Sequence, residues 1–125
     1  MKMMRTISRV ITLCSLMLLC LWTDAAWGHV FPEHTEPEVG ATVTVAPTRV
    51  RIWFNGALEP AFSTLHVQNS SGEQVDRGDG HGVPFDPTLL EVSLPPLPPG
   101  IYRVFWSAVA RDGHRTEGDY IFTIK

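Results

Sequence analysis

The sequence predicts an all-β protein: an antiparallel two-sheet β-sandwich, immunoglobulin-like in outline, with Greek-key connections. Three observations carry this. Beyond the first 28 residues, apolar side chains recur at every second position, which puts them on one face of a strand, and no segment shows a helical apolar period. Proline and glycine interrupt the chain about every ten to twelve residues. Residues 29–125 match the length of one such domain, about 100 residues.

The elements follow in chain order. Lys2, Arg5 and Arg9 open a positively charged N-terminus, followed by an apolar run from Val10 to Leu21. That run is shorter than the roughly 20 residues needed to span a bilayer. Ala26-Trp27-Gly28 then gives a small-x-small cleavage pattern. Residues 1–28 are therefore expected to be a cleaved secretory signal, and residues 29–125 the exported domain, with no membrane insertion after cleavage. Cys14 and Cys20 each follow a leucine, which disfavours a lipid-modified cysteine, and there is no twin-arginine pair.

The first clear strand joins Val50, Ile52 and Phe54, alternating with Arg49, Arg51 and Trp53. Leu65 and Val67 flank an outward His66. Leu90, Val92 and Leu94 form a third set, Tyr102, Val104 and Trp106 a fourth, and Tyr120, Phe122 and Ile124 the last. Trp106 is the expected centre of the core. Turn signals separate these runs at Ala46-Pro47-Thr48, Ser70-Ser71-Gly72, Gly78-Asp79-Gly80 and Pro98-Pro99-Gly100. The Gly- and Asp-rich stretch from Asp76 to Pro87 reads as the longest loop. Pro95-Pro96-Leu97-Pro98-Pro99 reads as a stiff connector.

Composition narrows the chemistry. Both cysteines and all four methionines lie in the first 28 residues. The remaining chain has no disulfide, no thiol nucleophile and no sulfur donor for a metal. Residues 29–125 hold seven Lys/Arg against twelve Asp/Glu, a net charge of −5 with His neutral. An acidic domain without a basic run is a poor partner for nucleic acid or anionic lipid. No Gly-x-Ser-x-Gly or His-Glu-x-x-His constellation is present.

Cleavage after Gly28 would make His29 the first residue. A terminal histidine offers a metal its α-amine and its imidazole Nδ1 in one chelate ring. Asp112-Gly113-His114 adds a carboxylate and an imidazole at i and i+2, which point to one side of an extended segment. Three nitrogens and one oxygen in a tetragonal set suit Cu(II), whereas Zn(II) prefers a tetrahedron. From residue types alone, a frayed end at His29 and a surface turn at Asp112-Gly113-His114 is the favoured alternative, because Asp-Gly is a common turn dipeptide. The second copy, Asp79-Gly80-His81, makes the same point: the tripeptide does not define a site. His34 and His66 read as surface histidines; a weak secondary site at His34 or His81 is the minority reading.

The chain resembles the CopC family of periplasmic copper-binding proteins. The resemblance runs through His29, Thr35-Glu36-Pro37, Gly40-Ala41-Thr42 and the segment from Ala46 to Phe54. It continues through Leu97-Pro98-Pro99-Gly100-Ile101-Tyr102-Arg103-Val104, Trp106, Ala110-Arg111-Asp112-Gly113-His114 and Gly118 to Ile124. It implies a β-sandwich in which His29, Asp112 and His114 bind one Cu(II) ion. It further implies a role in copper resistance, homeostasis or uptake, with a CopD-like inner-membrane protein as partner. The protein is expected to act as a monomer and not as an enzyme. Some members carry a methionine-rich loop for Cu(I); the equivalent residues, roughly 55–63, contain no methionine, which matches the Cu(II)-only members. Two other functions fit parts of the pattern. One is a copper-dependent oxidative enzyme with a terminal-histidine brace, for which 97 residues leave little room. The other is a metal-free adhesion or assembly sandwich.

Overall fold

A computed structural model describes residues 29–125. The expected signal, residues 1–28, lies outside the described residues. Among the described residues, no helix is long and apolar enough to cross a membrane.

Eight strands form the sandwich: β1 (Pro32–Glu36), β2 (Thr42–Val43), β3 (Arg49–Phe54), β4 (Thr64–Gln68), β5 (His81–Val83), β6 (Asp86–Ser93), β7 (Gly100–Val109) and β8 (Arg115–Ile124). One sheet runs β1-β3-β6-β5 and the other β2-β8-β7-β4. Every pairing is antiparallel except the short β2, which runs parallel to β8. The fold class follows the sequence expectation, with this one parallel pair added. The only described helical element is a 3-10 turn at Pro60–Phe62.

The alternating sets all face inward. Val50, Ile52, Leu65, Val67, Leu90, Val92, Val104 and Phe122 are essentially sealed from solvent. Phe54 meets Trp106 edge-on at 5.4 Å, and Tyr102 stacks on Phe122 at 5.5 Å. The proline-rich connector carries the chain from β6 to β7 between the two sheets. It is tied down by the Tyr102 hydroxyl, which donates to the Pro98 carbonyl at 2.5 Å. This is the back-bonded tyrosine seen at the corner of immunoglobulin-type sandwiches.

Three expectations change. Trp106 is buried but lies at the margin of the core rather than its centre; Phe54 and Phe122 occupy the centre. The reason is Gly118, the cross-strand partner of Trp106. A Cβ at Gly118 would fall 2.7 Å from Trp106 Cζ2, so the indole lies over bare backbone, with no side chain there to cover it. Second, the Asp76–Pro87 stretch is not one loop, because His81–Val83 forms edge strand β5 against β6. Third, β1 was not legible as a strand. It is a polar edge, and Thr35 is its one buried residue.

The indole's seat makes a coupled prediction. Trp106→Ala should cost on the order of 3–5 kcal/mol in urea unfolding. Gly118→Ala should cost about 1–3 kcal/mol by overpacking. In the double variant the Gly118→Ala penalty should largely vanish, because the atoms it strikes are gone. Simple additivity of the two losses would refute the contact.

Candidate metal centre

The end of the sandwich where β7 turns into β8 carries the candidate site. The turn is built locally. Ala110 N–H donates to the His114 carbonyl and Gly113 N–H to the Ala110 carbonyl, each at 2.9 Å. Gly113 takes a φ of 89°, a left-handed conformation that glycine adopts without strain. The Asp112 carboxylate closes the turn by accepting the His114 N–H at 3.0 Å. It also lies 3.3 Å from His114 Nδ1. An ionised carboxylate is the better acceptor, so the His114 N–H holds the Asp112 carboxyl below the usual aspartate range. Partial desolvation opposes this, while the imidazoles of His114 and His29 add to the lowering.

His29 reaches the same place from the opposite end of the chain. Its ring centroid is 5.6 Å from that of His114, with the planes at 76°. The Phe31 ring lies on another side at 6.3 Å. The segment is held by its neighbours. Val30 is buried, with its methyl group over Gly56. Its carbonyl accepts from the Thr116 hydroxyl at 2.6 Å. Phe31 and Asn55 exchange two hydrogen bonds, Phe31 N–H to Asn55 Oδ1 and Asn55 N–H to the Phe31 carbonyl, both at 2.9 Å. Leu58, buried and bridged to Ala110, joins the 55–63 loop to the same end.

The three residues singled out from the sequence, His29, Asp112 and His114, are thus neighbours. Among the described residues, no group of three or more His, Cys, Asp or Glu side chains forms a ready-made metal cage. The donor set nevertheless fits a copper ion in kind: two imidazoles, a carboxylate held ionised, and a His29 main-chain nitrogen that becomes a basic amine only when the peptide bond before it is cut. Sequence reasoning missed Val30, Asn55 and Thr116. Nothing in their types announces a contact between residues 30 and 116.

The remaining histidines lie elsewhere. His34, on β1, stacks on Trp53 at 5.1 Å and approaches Glu36 at 3.5 Å. His66 faces outward from β4, with Gln74 Nε2 3.2 Å from its Nδ1. His81 shares its tripeptide sequence with the site but not its geometry. Asp79 turns away to accept the Ser93 N–H at 2.8 Å, and His81 Nε2 sits 3.5 Å from Glu91. Glu91 is already engaged by Arg49 and Arg51.

A small two-sheet sandwich with an N-terminal imidazole set against a hairpin imidazole defines the class of domain. The chain belongs to the CopC family: the CopC domain model matches residues 32–125. It is 31% identical to Protein YobA of Escherichia coli (strain K12) over 112 residues, 89% of this chain and 90% of that protein. It is similar to the crystal structure of CopC from Methylosinus trichosporium OB3b, with a TM-score of 0.73 and 33% identity, covering 78% of this chain and 94% of that one. It is also similar to PcoC, a methionine-rich copper resistance protein from Escherichia coli. There the TM-score is 0.69 and the identity 28%, over 78% of this chain and 100% of that one.

The turn geometry predicts the titration of Asp112. Its carboxyl should titrate by NMR below the ordinary value of 3.8. Its contribution to the turn should therefore be complete at neutral pH and fade only as the pH falls through that lowered midpoint. The main cause is the His114 backbone N–H, so His114→Ala should leave most of the depression in place. A midpoint at or above 3.8 would exclude the turn as drawn.

Proposed function

We propose that this protein is an exported, periplasmic Cu(II)-binding protein that sequesters copper or delivers it to a partner. Residues 1–28 act as the signal, and cleavage between Gly28 and His29 creates the terminal chelate. One Cu(II) ion is held by the His29 amine and Nδ1, the Asp112 carboxylate and the His114 imidazole. The observation that carries this reading is the approach of the His29 and His114 rings to 5.6 Å from opposite ends of the chain. The ionised state favoured at Asp112 and the copper resistance role of the similar PcoC support it.

Membership of the CopC family marks the protein as a binding protein rather than an enzyme. Its chemistry is ligand exchange: no covalent bond within the protein forms or breaks as the ion is taken up or released. The site sits at an exposed end of the sandwich, with His29 and Asp112 open to solvent, so an acceptor can approach the ion directly. A CopD-like inner-membrane protein is the proposed acceptor or donor, and the carrier acts as a monomer. The 55–63 loop offers no thioether, so a second site for Cu(I) is not part of this proposal.

Intact mass of the exported protein followed by Cu(II) titration tests the reading. The expected mass corresponds to a chain starting at His29, and the expected stoichiometry is one ion. His29→Ala and His114→Ala should each weaken binding by more than the roughly 10- to 100-fold typical of losing an outer-shell partner. A start at Ala26 or Trp27, or binding indifferent to both substitutions, would defeat it. An uncleaved or N-terminally tagged chain should bind Cu(II) much more weakly, because an amide nitrogen replaces the amine.

A further inference from the structure

We infer that Thr116 is a positioning residue for the metal site, acting through the main chain of Val30. The inference rests on the copper reading above. The two halves of the proposed chelate come from segments 85 residues apart, and a chelate needs their separation fixed. His114 is held by its own turn. His29 has no turn of its own; it precedes β1 and is exposed. Its position is set by what grips Val30 and Phe31.

Asn55 grips Phe31 through the paired hydrogen bonds described above. Between that clamp and His29 lies a single residue, Val30. Its side chain is only 4% exposed, and its carbonyl accepts the Thr116 hydroxyl at 2.6 Å. Thr116 is two residues beyond His114 and is locked in the β7–β8 ladder opposite Ala108. One hydrogen bond therefore connects the residue next to His29 with the strand that carries His114. Without it, His29 would swing about the Asn55 clamp, and copper would have to order the arm before both nitrogens could bind. Preorganisation of this kind is how outer-shell groups raise metal affinity without touching the ion.

Thr116→Val keeps the shape of the side chain and removes the donor. In material beginning at His29, Thr116→Val should bind Cu(II) on the order of tenfold more weakly, and Thr116→Ser should restore most of the affinity. Without metal, the NMR contact between the His29 and His114 rings should weaken in Thr116→Val and return in Thr116→Ser. The Cu(II) electron paramagnetic resonance spectrum of the valine variant should show a second, less nitrogen-rich component. A merely structural role would lower the melting temperature and leave the spectrum and the affinity of the folded protein unchanged, and that result overturns the inference. Wild-type binding that is lost in His29→Ala but unaltered in Thr116→Val overturns the inference alone. Wild-type binding that is indifferent to His29→Ala overturns the copper reading and this inference with it.

Discussion

The β7–β8 ladder is the constraint on which the rest of the structure depends. It pairs Gly100 with Ile124 at one end and Val109 with Arg115 at the other, in continuous antiparallel register. Because the side-chain period is two, that register commits Tyr102, Val104, Trp106, Tyr120, Phe122 and Ile124 to the core together. A slip of one residue would turn all of them to solvent. The same register puts Gly118 opposite Trp106, where the indole requires an absent side chain. It also forces the chain to reverse at residues 110–114. The turn bearing Asp112 and His114 is thus the end of a long, rigid hairpin and not a mobile surface loop.

Such a foundation matters because the proposed chelate is split. One side is made by a turn that organises itself; the other is an arm that must be brought to it. The fold solves this with short-range ties of different chemistry: an apolar anchor at Val30, a main-chain clamp at Asn55, and the Thr116 hydroxyl. Each is weak alone, about 0.5–1.5 kcal/mol for an ordinary hydrogen bond. Together they act on a stretch of only three residues. The arm is therefore ordered beside His114, while His29 itself stays exposed to an incoming ion or partner.

The two Asp-Gly-His tripeptides show how little a short motif decides. Asp112 accepts its own histidine's N–H and folds the hairpin turn around Gly113. Asp79 accepts from Ser93 on the neighbouring strand, and its glycine has no left-handed φ. His81 then falls beside Glu91, whose carboxylate already faces two arginines. Identical residues at identical spacing take opposite roles because one copy closes a hairpin and the other leads into an edge strand.

What the sequence determined by itself was the set of inward-facing residues, and through them the sandwich, because alternation is a local property that each strand states independently. It also determined the donor types, since the described chain has no sulfur and few histidines. It did not reveal β1, β2 or β5, whose short, largely polar segments draw their strand character from the neighbours they pair with. It placed Trp106 too centrally, because the cover that Gly118 fails to provide lies across the sheet. Only the tertiary structure decided that His29 meets His114, that Asp79 turns away, and that Thr116 reaches Val30. Each of these is a contact between residues distant in the chain. Such contacts depend on how the two sheets close upon one another, and no local pattern of residue types encodes that closure.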